Sequence, residues 1–428
     1  MPDSGFEIGV EYARRLDAND PLAAFRGEFH IPISGDGSES IYLVGNSLGA
    51  LPRSAQKYLL EELQRWGDLG VHGHHTGGLA WESYHELLTD QMATIVGGRQ
   101  DEVVVMNSLT VNLHLLMVSF YRPTAERHKI LIDQHAFPSD HFAVESQIRQ
   151  RGFDPDSSLI LVSPREGEET IRDDDIVATI EDHGDELALV MLPGVQYYTG
   201  QVIQMERIAE AAHRVGAQVG FDLAHGVGNV VLNLHDWDVD FAAWCTYKYL
   251  NSGPGGVGGA FVNERHTKDQ SLPKFLGWWG TEKATRFEME TEFRAIPTVE
   301  SWQLSNAPIL SMAALRASLD LIDRAGGVPA LRQKSELQVH YIDFLLAEKL
   351  AGRVECITPS EMDARGCQLA LRVTAPGIAG RTAFEQLEAA GVSCDWRYPD
   401  VIRVAPVPLY NSFTDIHEFV TILDRILQ

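Results

Sequence analysis

Cysteine is scarce in this chain, with four residues among 428, at positions 245, 356, 367 and 394, and no C-x-x-C pair. A disulfide-stapled fold and a zinc ribbon are not suggested, and a reducing cytoplasmic setting fits best. Basic blocks are missing too: 35 Lys and Arg against 60 Asp and Glu give a formal net charge of -25. Nucleic-acid binding needs a clustered positive face, so that class is not expected. No apolar run approaches a bilayer span, and Met1 to Glu7 shows no basic region followed by an apolar one. Neither a membrane protein nor a targeting leader is expected. Internal repeats and low-complexity tracts are absent. Hydrophobic residues at 44% and charged residues at 22% are ordinary for a globular protein, and the length allows two or three domains.

Short apolar runs alternate with amphipathic stretches from about residue 54 to about residue 265. Ala55, Tyr58, Leu59, Leu63 and Trp66 have helical spacing. Val103-Val104-Val105-Met106 reads as a buried strand before a helix from about Thr110 to Phe120. Further strand-like runs occur at Ile130–Ile132, Leu159–Val162, Leu187–Leu192 and Val219–Phe221. Such alternation predicts an α/β fold with a mostly parallel sheet, whose ligands bind beyond the carboxyl ends of the strands. Near Ser311 the pattern changes to two long helical stretches, about Ser311 to Arg324 and Pro329 to Leu350. A smaller α/β unit follows, through Cys367 to Val373, Val401 to Val404 and a last helix from about Thr414. The expected organisation is a large domain over 46–310, a small C-terminal α/β domain over 311–428, and an N-terminal segment, 1–45, packed on the small domain.

The residue that carries most chemistry is Lys248, in Thr246-Tyr247-Lys248-Tyr249-Leu250-Asn251 at the end of an apolar stretch and before a glycine-rich turn. A lysine between aromatics is commonly a surface residue with a half-buried stem. Upstream, however, Phe221-Asp222-Leu223-Ala224-His225 sets a carboxylate and an imidazole just after another apolar stretch. A lysine at one strand end, one α/β step after an acidic strand end, is what a Schiff-base site for pyridoxal phosphate requires. Asp222 would pair with the pyridine nitrogen, and His225 would orient the ring or Asp222. Taken alone, each could equally cap a turn. Asn107-Ser108-Leu109-Thr110 opens a helix after a strand, so its free N–H groups and hydroxyl can take a phosphate. Phe137-Pro138-Ser139-Asp140 follows the next strand, with Phe137 placed to stack on a cofactor ring and Ser139 and Asp140 as polar contacts.

Two other patterns carry less. Gly253, Gly255 and Gly258 form a G-x-G-x-x-G, but a returning strand rather than a helix follows, so no dinucleotide site is expected. His72, His74 and His75 have no acidic or cysteine partner at ligand spacing, so no metal is expected.

Taken together, the ordered blocks resemble kynureninases, pyridoxal-phosphate hydrolases of the fold-type I, aspartate aminotransferase-like superfamily. The resemblance runs nearly end to end. It rests on Gly45-Asn46-Ser47-Leu48-Gly49, Leu109 to His114, Phe137 to His141, Pro164 to Thr170, Gly220 to His225, Leu234 to Trp237, Tyr247 to Asn251 and Ile402 to Asn411. It implies a seven-stranded-type large domain and cleavage of L-kynurenine or L-3-hydroxykynurenine to anthranilate or 3-hydroxyanthranilate plus L-alanine, in tryptophan degradation or NAD synthesis. It implies that Lys248 binds the cofactor aldehyde and moves protons at Cα, with Tyr247 as a further proton donor. Leu109, Thr110 and Tyr247 would hold the phosphate, with Phe137, Pro138, Ser139 and Asp140 along the cofactor. Trp278 and Asn306 would reach the site from the neighbouring copy of a homodimer, and Arg403 would grip the substrate α-carboxylate. Ser47, His74 and Asn306 would surround the aromatic ring, which favours acceptance of the hydroxylated substrate. Pro193 stands where some relatives carry a serine, so a hydroxyl contact to the cofactor is ruled out there. A fold-type I aminotransferase, a cysteine desulfurase and a non-catalytic cofactor-binding protein are the competing readings.

Overall fold

Seven mostly apolar runs build the central sheet of this computed structural model, which describes residues 5–269 and 271–428. They are β1 Val103–Val105, β2 Lys129–Asp133, β3 Leu159–Val162, β4 Leu187–Pro193, β5 Gln218–Asp222, β6 Phe241–Cys245 and β7 Gly258–Val262. Their order is β1-β7-β6-β5-β4-β2-β3. The pairs from β6 to β3 are parallel, whereas β7 runs antiparallel to both β6 and β1, so the sheet is mixed. Both faces are covered. Val103 and Val105 enter one hydrophobic core and Val104 the other, and Ala242 and Trp244 part from Phe241 and Ala243 in the same way. Alternate side chains leave a strand on opposite faces, so strands buried on both sides read as unbroken apolar runs.

The C-terminal part has a sheet of its own, β8 Val354–Cys356, β9 Leu369–Val373, β10 Asp395–Arg397 and β11 Val401–Val404, antiparallel in the order β8-β9-β11-β10. Helices Ile309–Arg324 and Gly327–Leu350 lead into it, each starting two residues before the stretch read from sequence. Tyr341, Ile342 and Leu345 of the longer helix pack with Leu371, Ile402 and Phe419. The N-terminal segment contributes to two cores: Ala13, Ile41 and Leu43 join this one, while Leu22, Phe29 and Ile31 join the core under the central sheet. No helix among the described residues is long and apolar enough to cross a membrane.

Asp17, near the end of the first helix, ties the two chain ends together. Its carboxylate accepts the backbone N–H groups of Phe413 and Thr414 at 2.6 and 3.0 Å and the Thr414 hydroxyl at 2.5 Å. These N–H groups open the last helix, Phe413–Ile426, where a helix has no internal acceptors. Asp17→Ala is expected to cost about 1–3 kcal/mol in urea unfolding, because it strands several donors at once. A loss below about 0.3 kcal/mol would show that water replaces the carboxylate.

Candidate active site

Past the end of β6 the chain turns back on itself. The Thr246 hydroxyl lies 2.6 Å from that of Ser252 and also donates to the Val257 carbonyl, while Asn251 takes a left-handed φ of 48°. Asparagine tolerates that region better than most residues. The turn sends Lys248 into a cavity of about 290 Å³ at the carboxyl ends of the strands. Gly49 buttresses it from outside: its N–H donates to the Tyr247 carbonyl at 2.8 Å, and a Cβ there would fall 2.3 Å from the Lys248 carbonyl oxygen. Close approach is why that position of the Gly45–Gly49 block needs glycine.

Asp222 is the last residue of β5. One of its oxygens accepts the Ala224 N–H at 2.6 Å, and His225 stands a turn further on with Nε2 2.9 Å from the Lys248 ammonium. The other ring nitrogen, Nδ1, is buried without a protein partner. After β1, Asn107 takes a φ of 49° and leads into helix Leu109–Phe120, whose first N–H groups receive no side-chain cap. Gly258 keeps this cradle open, since a Cβ there would lie 3.2 Å from the Leu109 nitrogen and 2.9 Å from the Trp244 carbonyl oxygen. The Thr110 and Ser139 hydroxyls sit 2.8 Å apart. Pro138 occupies the first position of helix Pro138–Gln150 and does not line the cavity, whereas Phe137, Ser139 and Asp140 do.

The electrostatics of this cavity are unusual. Burial and the facing Asp222 carboxylate push the Asp140 carboxyl well above its ordinary value, against a smaller pull from Lys248. Burial, helped by the charges of Lys248, Arg403 and Arg397, drives His225 well below the ordinary imidazole value. It is therefore neutral near pH 7 and can accept the Lys248 proton donor. Burial raises Tyr247, with Cys245 and Asp222 adding to the effect, so its phenol keeps its proton. An uncapped helix start, an amine and two buried carboxylates are groups that would suit the phosphate, aldehyde and ring nitrogen of the pyridoxal phosphate expected from the sequence.

Ser47, Leu109, Thr110, Phe137, Ser139, Asp140, Asp222, His225, Tyr247, Lys248 and Arg403 thus converge on one cavity, and Pro193 joins them at the end of β4. Trp278, Asn306 and His74 do not line it. Trp278 is 43% exposed, donates from Nε1 to the Arg286 carbonyl at 2.9 Å and meets Phe287 edge-on. Asn306 is exposed, and His74 packs edge-on against Trp81. The sequence reading missed Asn46, Ser108, Val195, Tyr197, Ala224 and Arg397, which also line the cavity. Asn46, Ser108 and Ala224 lay inside blocks already noted, and Tyr197 follows a strand end. Arg397, distant from every other block except that of Arg403, had no such signal. Tyr197 meets Phe137 edge-on, with centroids 5.2 Å apart. The three-histidine run does not gather as a ligand set: His75 pairs with Glu82 at 2.9 Å while His74 meets Trp81 edge-on. His85, Glu86 and Glu300 come close enough for an ion, but the Lys283 ammonium bonds both carboxylates, at 2.8 and 2.9 Å.

Among solved structures, the chain is similar to a cystine C-S lyase in complex with its product cysteine persulfide, with a TM-score of 0.76 at 17% identity over 90% of this chain and 97% of that one. A cysteine desulfurase from Thermococcus onnurineus NA1 gives 0.75 at 16% identity over 97% and 98%. The architecture is the fold-type I fold, with its mixed seven-stranded sheet. Sequence comparison goes further. Residues 331–423 match the kynureninase C-terminal domain. Over 420 residues the chain is 53% identical to the kynureninase of Koribacter versatilis (strain Ellin345), covering 98% of each. The kynureninase of Myxococcus xanthus (strain DK1622) is 54% identical over 419 residues, 98% of this chain and 97% of that protein. The chain belongs to the kynureninase family.

Asp140 gives a pH-dependent test. Its folded pKa lies above the ordinary value of 3.8, so the ionised group opposes folding of the cofactor-free protein. This penalty is absent below the ordinary value and complete above the raised one. Asp140→Asn is therefore expected to raise the unfolding temperature of the cofactor-free protein more at pH 8 than at pH 4.5. A larger gain at the acid end would contradict this assignment.

Proposed function

We propose that this chain cleaves the Cβ–Cγ bond of L-kynurenine, and of L-3-hydroxykynurenine, with water, releasing anthranilate or 3-hydroxyanthranilate together with L-alanine. The observation that carries the reading is the Lys248 amine, 2.9 Å from a neutral His225 and in one cavity with Asp222 and an uncapped helix start. Bound there, pyridoxal 5'-phosphate supplies an aldehyde that takes the substrate amine and a ring that withdraws electrons. Leu109, Thr110 and Tyr247 would hold its phosphate, Asp222 its ring nitrogen and Phe137 its face. Arg403 binds the substrate carboxylate, and Ser47 lies near the aromatic end. Lys248 would take the substrate Cα proton and return it before alanine leaves. Water adds to the γ-carbonyl, the Cβ–Cγ bond breaks, and Tyr247, whose phenol is held protonated, would give its proton to Cβ and regain one from that water.

The organisation follows the same reading: a cofactor-binding part over 46–310, a small domain over 311–428 and an N-terminal segment, 1–45, packed on the small domain. The pathway is tryptophan degradation or NAD synthesis, in the cytoplasm, in keeping with four cysteines that form no disulfide. A homodimer accounts for Trp278 and Asn306, which complete the partner's site. Phe275, Leu276, Phe287 and Met289 are 51–71% exposed beside Trp278, an apolar surface that association would cover.

The desulfurase reading lacks its nucleophile. None of the four cysteines lines the cavity, and burial raises every thiol, Cys367 to about 12. The test is fluorescent anthranilate released from L-kynurenine by cofactor-loaded protein, with alanine in equal amount and L-3-hydroxykynurenine in parallel. Lys248→Ala is expected to lower turnover at least about a hundredfold. Unchanged turnover in that variant would remove the reading.

A further inference from the structure

We propose that Arg397 is a second specificity-determining arginine for the α-carboxylate of the amino-acid substrate, acting beside Arg403. The inference rests on the kynurenine-cleaving reading and adds a residue that the sequence resemblance did not assign.

Asp395 and Arg403 are register partners across β10 and β11, and Arg397 ends β10 two residues later. Period-two alternation puts Asp395 and Arg397 on the same face. Both guanidinium groups then meet one carboxylate oxygen: Asp395 Oδ2 accepts from Arg397 at 3.0 Å and from Arg403 in a closer contact. Arg403 spends a further N–H on the Tyr197 carbonyl, at 2.5 Å. Its side chain is 1% exposed, against 35% for Arg397. Both arginines line the cavity that holds Lys248.

Charge and hydrogen bonding point the same way. Arg403 with Asp395 is a neutral pair, and a neutral pair attracts an anion weakly. Arg397 restores one net positive charge to the cluster, matching a single carboxylate. The Nε–H groups of Arg397 and Arg403 are both buried without a protein partner. Buried donors without acceptors are costly, and a planar anion with two oxygens offers one acceptor to each. Asp395 then acts as the internal counter-ion that holds the two guanidinium groups side by side. Arg403 is the fixed member, and the half-exposed Arg397 is the one that adjusts to the ligand.

Arg397→Gln and Arg397→Lys in the cofactor-loaded enzyme provide the test, read by KM and kcat for L-kynurenine and by inhibition with L-alanine and with L-alaninamide. In Arg397→Gln, KM and the L-alanine inhibition constant are expected to rise together by about tenfold or more, with kcat within about threefold and inhibition by L-alaninamide unchanged. Arg397→Lys, which keeps the charge but not the fork, should recover part of that loss. Equal weakening toward alanine and its amide, or constants within about twofold of the unsubstituted enzyme, would overturn the proposal. A variant that fails to fold is separated by its unfolding temperature, and the lysine variant then decides with the same four constants. Absence of anthranilate from the unsubstituted enzyme would sink the functional reading, and this inference with it.

Discussion

Asp140 and Asp222 face one another from the first turn of a helix and the end of β5, both nearly closed to water, with Lys248 as the nearby cation. Two carboxylates in a low-dielectric cavity repel, and folding alone does not relieve them. The cavity is thus shaped around charge that a ligand must complete. On the proposed reading a protonated ring nitrogen would supply that charge, and the uncapped helix start at Leu109 would take the anionic phosphate. The neutrality of His225 belongs to the same arrangement, because a second cation beside Lys248 would compete with the ring for the carboxylates.

The small C-terminal sheet adds Arg397 and Arg403 to the cavity wall. Arg403 reaches it from β11 and bonds the Tyr197 carbonyl, which follows the end of β4 in the central sheet. Further contacts cross the same boundary: Tyr198 donates to Asp400 at 2.9 Å, and Arg372, itself paired with Asp400 within the C-terminal part at 2.6 Å, meets Glu169 at 2.7 Å. The cavity wall and the mutual placement of the two sheets therefore share the segment Tyr197–Tyr198. Asp17 and Lys334 secure the C-terminal part from behind; the latter is 8% exposed and bonded to Asp20 at 2.7 Å and to the Pro408 carbonyl at 2.6 Å.

The four cysteines separate fold from chemistry. The solved structures similar to this chain at 16–17% identity are a cystine C-S lyase and a cysteine desulfurase. Here every thiol is raised by burial and none lines the cavity. Common architecture sets where a ligand sits, at the carboxyl ends of parallel strands. The reaction depends on which side chains meet there.

Much of that meeting could be read from the chain itself. Unbroken apolar runs marked strands buried on both faces, and the polar residues just after them, at Asn107–Thr110, Phe137–Asp140, Asp222 and Lys248, marked the site. Both are local signals: a strand's burial shows in its own composition, and its carboxyl end is where the next residues emerge. The His225–Lys248 contact, the Asp140–Asp222 pairing, the Gly49 buttress and the place of Arg397 were decided only by tertiary structure. Each joins groups from different strands or helices, and no sequence spacing encodes the distance between elements that approach only when the sheet and its helices pack.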